Sequence, residues 1–277
     1  MQKLTDINKK ILAISTVLML VISTLIACGP SSSEHIETLN ENKNLLVEPN
    51  TEEKYAIGDL GGVSVDLPRE FVELIEYDGD PSWGEKRVGK KPERTYQSKI
   101  NSFGFDIRYT DKTLLDGPFG KLADIYRQEK KLPENPWVSV GINSGDRYYG
   151  SKGIDRLGKG KINPTYEVTP RHRYEKLPEK QYGLEVYSPP GIDPKTNKPW
   201  REDSDAEDVF IKRDGNGTIV TYIRCTNRQV IRPPCTQYFD LEPAMQLDVY
   251  ASYSRWNLAD WQRIQQVATE TILSFRK

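Results

Sequence analysis

Apolar and polar residues alternate along many short stretches of this chain, the two-residue period of strands with one buried face. Val63, Val65 and Leu67 alternate with polar partners as far as Pro68, after a glycine-rich turn over residues 58–62. Residues 71–77 predict a second strand, closed by the turn Asp78-Gly79-Asp80-Pro81. Residues 98–109 predict a third, with Ile100, Phe103, Phe105, Ile107 and Tyr109 largely in alternation. Further strands are predicted over 137–142, 182–187, 209–211, 218–224, 236–241 and 245–253. Asp214-Gly215-Asn216-Gly217 is a strong hairpin turn, since Gly and Asn tolerate positive φ. Two stretches change to helical spacing. Residues 119–130 place Leu122, Ile125 and Tyr126 on one side. Leu258, Trp261, Ile264, Ala268, Ile272 and Phe275 predict an amphipathic helix of about 18 residues, with Asn257 as its N-cap. The expectation is an α+β body: mostly antiparallel β-sheet with the C-terminal helix packed on it. A division into two lobes near residues 170–180 is the alternative to a single body.

The apolar run over residues 11–24 has a different meaning. Lys3, Lys9 and Lys10 precede it, and Leu25-Ile26-Ala27-Cys28 closes it. This resembles a bacterial lipobox, so residues 1–27 are expected to be a lipoprotein signal peptide and Cys28 the acylated residue. The run is short for a spanning helix, which needs about 20 apolar residues. Gly29, where an Asp favours inner-membrane retention, points to the inner leaflet of the outer membrane, facing the periplasm. Residues 28–54 are polar and poor in aromatics, the composition of a flexible tether. The globular body is expected over residues 55–277.

Charge and cysteine content narrow the partners. Residues 1–27 hold three Lys and one Asp, so removing them from a whole-chain balance of −1 leaves −3. That excludes a general nucleic-acid partner, which needs excess Lys and Arg to neutralise phosphates. With Cys28 acylated, Cys225 and Cys235 remain, an even pair in an oxidising compartment, and a disulfide is expected between them.

A search for chemistry yields little. No G-x-S-x-G or H-E-x-x-H is present. His35 falls in the tether, and His172 lies between Arg171 and Arg173, a solvated context. Ser274 and Lys277 match S-x-x-K only at what reads as a frayed chain end. No metal, no cofactor and no enzymatic activity is expected, although dispersed carboxylates leave no local signature and keep a hydrolase as a rival. Residues 143–170 read as a long surface loop or twisted hairpin. Their Gly150–Gly153 and Gly158–Lys161 stretches fail the phosphate-loop pattern. Residues 201–208 form the densest acidic run, read as a solvated loop.

Three segments together carry a resemblance. They are Gly58-Asp59-Leu60-Gly61-Gly62-Val63 with Tyr77-Asp78-Gly79-Asp80-Pro81; Ser102-Phe103-Gly104-Phe105-Asp106-Ile107-Arg108-Tyr109; and Thr221-Tyr222-Ile223-Arg224-Cys225 with Cys235, Phe239 and residues 261–275. In these the chain resembles the lipoproteins found beside lipase toxins of type VI secretion systems, which act as their immunity proteins. The resemblance implies a periplasm-facing protein that binds an incoming phospholipase effector and blocks it. It carries over the lipidated Cys28 and the paired cysteines, and fixes no inhibitory contact. Interfaces centre on aromatic and Arg anchors. The expected contacts are therefore Arg147, Tyr148 and Tyr149 in one loop and Asp203, Asp205 and Asp208 in the acidic one. An envelope-assembly lipoprotein is the alternative function.

Overall fold

Strand β4 (Ile100–Arg108) buries Phe103, Phe105 and Ile107 on one side and turns Ser102, Gly104, Asp106 and Arg108 to the other. The same alternation builds a ten-stranded sheet in the computed structural model, which describes residues 54–81 and 84–277. The strands are β3 (Glu73–Tyr77), β4, β5 (Thr113–Leu114), β6 (Trp137–Ser144), β7 (Glu175–Lys176), β8 (Glu185–Ser188), β11 (Glu207–Arg213), β12 (Ile219–Thr226), β13 (Pro234–Asp240) and β14 (Leu247–Ser254). Their order is β3-β4-β6-β14-β13-β12-β11-β8-β7, with β5 beside β4, and every pairing is antiparallel. This is an α+β fold with the final helix on the sheet. The sheet runs unbroken on both sides of residues 170–180.

A hairpin, β1 (Tyr55–Leu60) with β2 (Val63–Pro68), and helix α3 (Trp261–Ser274) cover one face. Ala56, Leu60, Val65 and Leu67 join Phe103, Phe105, Ile142, Phe239, Val249, Ile264 and Ile272 in one core. A polar network lies within it. Tyr253 Oη donates to Gln237 Oε1 at 2.9 Å, Gln237 Nε2 to Gln265 Oε1 at 2.9 Å, and Thr221 Oγ1 to the same Gln265 oxygen at 3.0 Å. It fixes the helix against three neighbouring strands, because each of these buried groups finds a partner. Helix α1 (Ala123–Glu129) lies across the ends of β4 and β6, its Tyr126 ring edge-on to Trp137 at 5.1 Å. A small hairpin, β9 (Ile192–Asp193) with β10 (Lys198–Pro199), stands apart.

Four expectations need correction. Residues 58–60, expected in a turn, belong to strand β1, which runs over Tyr55–Leu60. Gly58 pairs with Val65 in that strand, and it is a glycine because a Cβ there would lie 2.7 Å from Ile100 and from the Ser98 carbonyl. Residues 153–162 form helix α2 (Gly153–Ile162), not a loop or hairpin, and it packs Ile154 and Ile162 on Val209, Ile211 and Ile219. Asn257 is no N-cap: it lies buried in a 3-10 turn over Arg255–Asp260 and donates to the Asn135 carbonyl at 2.6 Å. The chain end is not frayed, because the Phe275 carbonyl accepts from the Asp66 N–H at 2.9 Å and Lys277 N–H donates to Ser64 O at 3.1 Å.

Cys225 and Cys235 face each other across β12 and β13 and form a disulfide, with Cα atoms 4.0 Å apart. It closes the connection over residues 226–234. Replacing both cysteines by serine is expected to cost about 2–4 kcal/mol, read from the urea midpoint. Equal midpoints with and without reductant would assign the bond no such role. The signal peptide, Cys28, His35 and nearly all of the tether lie outside the described residues. No helix among the described residues is long and apolar enough to cross a membrane.

Candidate partner-binding face

The second face of the sheet is only partly covered. Helix α2 closes it over β11 and β12, and α1 closes one end of β4 and β6. The strand register lines up one row across five strands, running from Tyr222, buried beside α2, out onto the uncovered strands. Tyr222 pairs with Tyr238, Tyr238 with Tyr250, Tyr250 with Gly141, and Gly141 with Gly104. The Tyr222 and Tyr238 rings stack at 5.2 Å with planes 17° apart. The Tyr250 ring lies down over Gly141, where a Cβ would come within 2.0 Å of it. Only glycine leaves room for that ring, so the row passes from aromatic paving to bare backbone.

Two depressions flank the row. One, of about 530 Å³, lies between α2 and β12–β13, with Tyr149, Leu157, Lys161, Tyr166, Arg224 and Tyr238 in its lining. The other, of about 700 Å³, is floored by Gly104 and Gly141 and rimmed by Glu73, Glu76, Arg87 and Arg147. Arg147 pairs with Glu76 at 2.6 Å, and Arg87 and Arg94 both pair with Asp80, which also accepts the Tyr77 N–H at 3.1 Å. Burial pushes the Asp80 carboxyl up, and the two guanidiniums with that N–H outweigh it and hold it below the usual range. The turn at 78–81 is thus a salt-bridged corner. Among the described residues, no cluster of three His, Cys, Asp or Glu side chains is disposed to hold a metal ion.

The loop between β6 and α2 is fixed by carboxylates. Tyr148 Oη donates to Glu242 Oε1 at 2.5 Å, and the Tyr149 N–H donates to Asp248 Oδ2 at 2.6 Å. Asp248 is 2% exposed, and its Oδ1 has no hydrogen-bond partner among the described residues. Burial is the main upward push, the Tyr149 N–H and Arg156 pull down, Asp240 and Glu242 push up, and together they bring the carboxyl up to about 6. A carboxyl raised in the folded chain favours folding when protonated. That contribution is fully present below about pH 4, the unfolded value, and is lost as pH rises through about 6. Acidification from pH 7 to 5 is therefore expected to add stability of about 1 kcal/mol, and Asp248→Asn to flatten that limb. A limb that persists in the variant would belong to another group.

No protein-family model and no curated protein sequence matches this chain. A solved structure does share its fold. It is an immunity protein of the Stenotrophomonas maltophilia type IV secretion system, 18% identical, with a TM-score of 0.50 over 81% of this chain and 94% of that one. A weaker likeness is to the Neisseria meningitidis iron-regulated outer membrane lipoprotein FrpD, 13% identical, with a TM-score of 0.42 over 81% of this chain and 93% of that one. At such identities the likeness is one of fold.

The structure separates the two expected contact loops. Arg147, Tyr148 and Tyr149 follow β6 at the edge of the uncovered face. Asp203 and Asp205 precede β11 and emerge from the opposite end of the strands, where both lie within 4 Å of Arg171. Asp208 is corrected outright as a surface contact: it is fully buried. It lies in β11 two residues before the buried Phe210, so alternation turns it inward, where Arg201 and Arg255 neutralise it. His172 sits in a short 3-10 turn with its Nδ1 3.0 Å from Thr169 Oγ1. The tyrosine row escaped the sequence reading. Tyr222, Tyr238 and Tyr250 each stood in a predicted strand on its polar phase, a signal that marks the outward face without revealing their alignment.

Proposed function

We propose that this chain is a periplasm-facing lipoprotein, anchored through Cys28 in the inner leaflet of the outer membrane, that binds and neutralises a secreted lipase of a type VI secretion system. The observation that carries this reading is the uncovered sheet face, with its row of tyrosines between two depressions and its neighbouring arginines. Such side chains anchor tight protein interfaces. The fold shared with an immunity protein of a secretion system supports it. Inhibition requires a complementary surface and no reacting group of its own. A largely polar tether over residues 28–54 raises the local concentration of the inhibitor at the membrane where a lipase acts. Cys28→Ser is expected to move the chain from the membrane to the soluble fraction; retention at the membrane would remove the anchor from the reading.

The decisive experiment is a competition on a surface that activates secretion. The gene is deleted in its native host and the mutant is mixed with its parent. Selective killing of the mutant is expected, cured by a plasmid copy and abolished when the parent's secretion system is disabled. Equal survival under verified secretion would overturn immunity, and envelope defects in the unchallenged mutant would favour an assembly role.

A further inference from the structure

The depression between α2 and β12–β13 has an unbalanced charge. Arg156, Lys161 and Arg224 all reach its lining. Glu207 answers Lys161 at 2.8 Å and lies 4.0 Å from Arg224. Arg156 donates to the Tyr149 and Ser151 carbonyls, which cancels no charge, and acts on the buried Asp248 carboxyl, so Glu207 and Asp248 stand against three cations. Asp155, on the same helix, is held by Lys159 at 2.7 Å and by the Ile219 N–H at 3.0 Å. Positive charge is left over. The walls are apolar as well as cationic: Tyr149, Leu157 and Tyr166 are 44%, 37% and 72% exposed, and Tyr238 is stacked on Tyr222 at the floor. A cationic cleft of this kind concentrates partners of opposite charge and speeds their docking.

We infer that this depression receives an acidic segment of the toxin, whose carboxylates meet Arg224 and Arg156 and whose apolar side chain packs on Tyr238 and Leu157. The inference rests on the immunity reading and deepens it, by assigning the surface used and the charge of what it accepts. Arg224 is the most telling position, because its side chain is 42% exposed and its ion pair is long.

The test uses the full-length chain, expressed from a plasmid in the deletion strain and competed against the secreting parent. Arg224→Glu and Leu157→Glu are each expected to lower survival at least tenfold, and Arg224→Lys to preserve it, at matched protein levels. Tyr166→Asp, at a side chain 72% exposed, is the variant least able to disturb folding and carries the same expectation. p-Benzoylphenylalanine in place of Leu157 is expected to crosslink, only during secretion, to a toxin peptide in which Asp and Glu outnumber Lys and Arg. If the deletion strain survives as well as its parent, the immunity reading itself fails. If the deletion strain dies and all three acidic variants protect fully, only the assignment of this surface fails. A crosslinked peptide rich in Lys and Arg, or a crosslink to lipid, overturns the acidic partner.

Discussion

Asp208→Ala is expected to lower the unfolding free energy by about 3–5 kcal/mol, the cost of removing one partner from a buried charge cluster. The carboxylate is fully buried. Arg201 donates to it twice, at 2.9 and 2.8 Å, Ser188 Oγ donates at 2.8 Å, and Arg255 closes the cluster. These partners come to β11 from three places: β8, the 3-10 turn at Trp200–Glu202 and the turn that leads into α3. One side chain therefore ties the start of β11 to the entry of the C-terminal helix. Truncation leaves Arg255, 25% exposed, facing the interior without its counter-charge. Burial pushes the Asp208 carboxyl up, but the Arg201 hydrogen bonds and the Arg255 charge prevail and hold it below the usual range. The sign is opposite to that of Asp248. Its stabilisation is present above about pH 4 and is lost as pH falls through the depressed folded value. The parent chain is thus expected to be most stable between roughly pH 4 and 6, and the variant to show a shallower acid-side decline, since Asp80 is also held below the usual range and keeps its share. Urea unfolding at pH 7 and across pH 2–5 tests both statements. A loss under about 1 kcal/mol at pH 7 would mean that the cluster is solvated and carries little of the fold.

The same residue explains what could be seen in advance. Residues 201–208 read as one acidic run, yet the strand phase begins inside it. Phe210 had to face the core, and a period of two places Asp208 with it. Composition hid this and periodicity held it. Most strands were legible for that reason: β13 and most of β4 alternate cleanly, β12 and β14 do so apart from residues such as Tyr222 and Asp248, buried on the other phase, and each carries a large apolar side chain on its buried phase. Helix α2 was not legible, because Gly153, Gly158 and Gly160 lower helix propensity and only two isoleucines mark its buried side. Gly158 is there for space, since a Cβ would lie 2.9 Å from Ile219. That requirement belongs to the helix-on-sheet contact and has no local trace. The tyrosine row was hidden in the same way. It depends on the mutual register of β12, β13, β14, β6 and β4, drawn from parts of the chain more than a hundred residues apart.

Phe275→Ala is the second large effect, expected at about 3–5 kcal/mol. Phe275 follows α3 directly and is 6% exposed. Its ring meets Phe105 edge-on at 6.0 Å and Phe103 at 6.3 Å, and those two rings lie 6.3 Å apart on β4. The trio joins the last helix to a strand some 170 residues earlier. Backbone bonds from the same segment to Asp66 and Ser64 bring in the β1–β2 hairpin. The cavity left by the ring would lie where helix, sheet and hairpin meet, and rigid walls on three sides limit collapse, which places the cost toward the upper part of that range. With an m-value of about 2 kcal/mol/M, the urea midpoint should fall by roughly 1.5–2.5 M. Phe275→Leu, which keeps most of the volume, should recover much of the loss. The hairpin adds a local readout: amide exchange at Asp66, whose N–H is held by the Phe275 carbonyl, should quicken in the alanine variant more than exchange in β12 and β13. Equal acceleration in all three strands would mean that the variant opens globally and that the hairpin has no separate dependence on the chain end. The face proposed for toxin binding lies on the other side of the sheet. A Phe275→Ala chain that stays folded should therefore still protect the cell, which separates the residues that hold the sheet from those that use it.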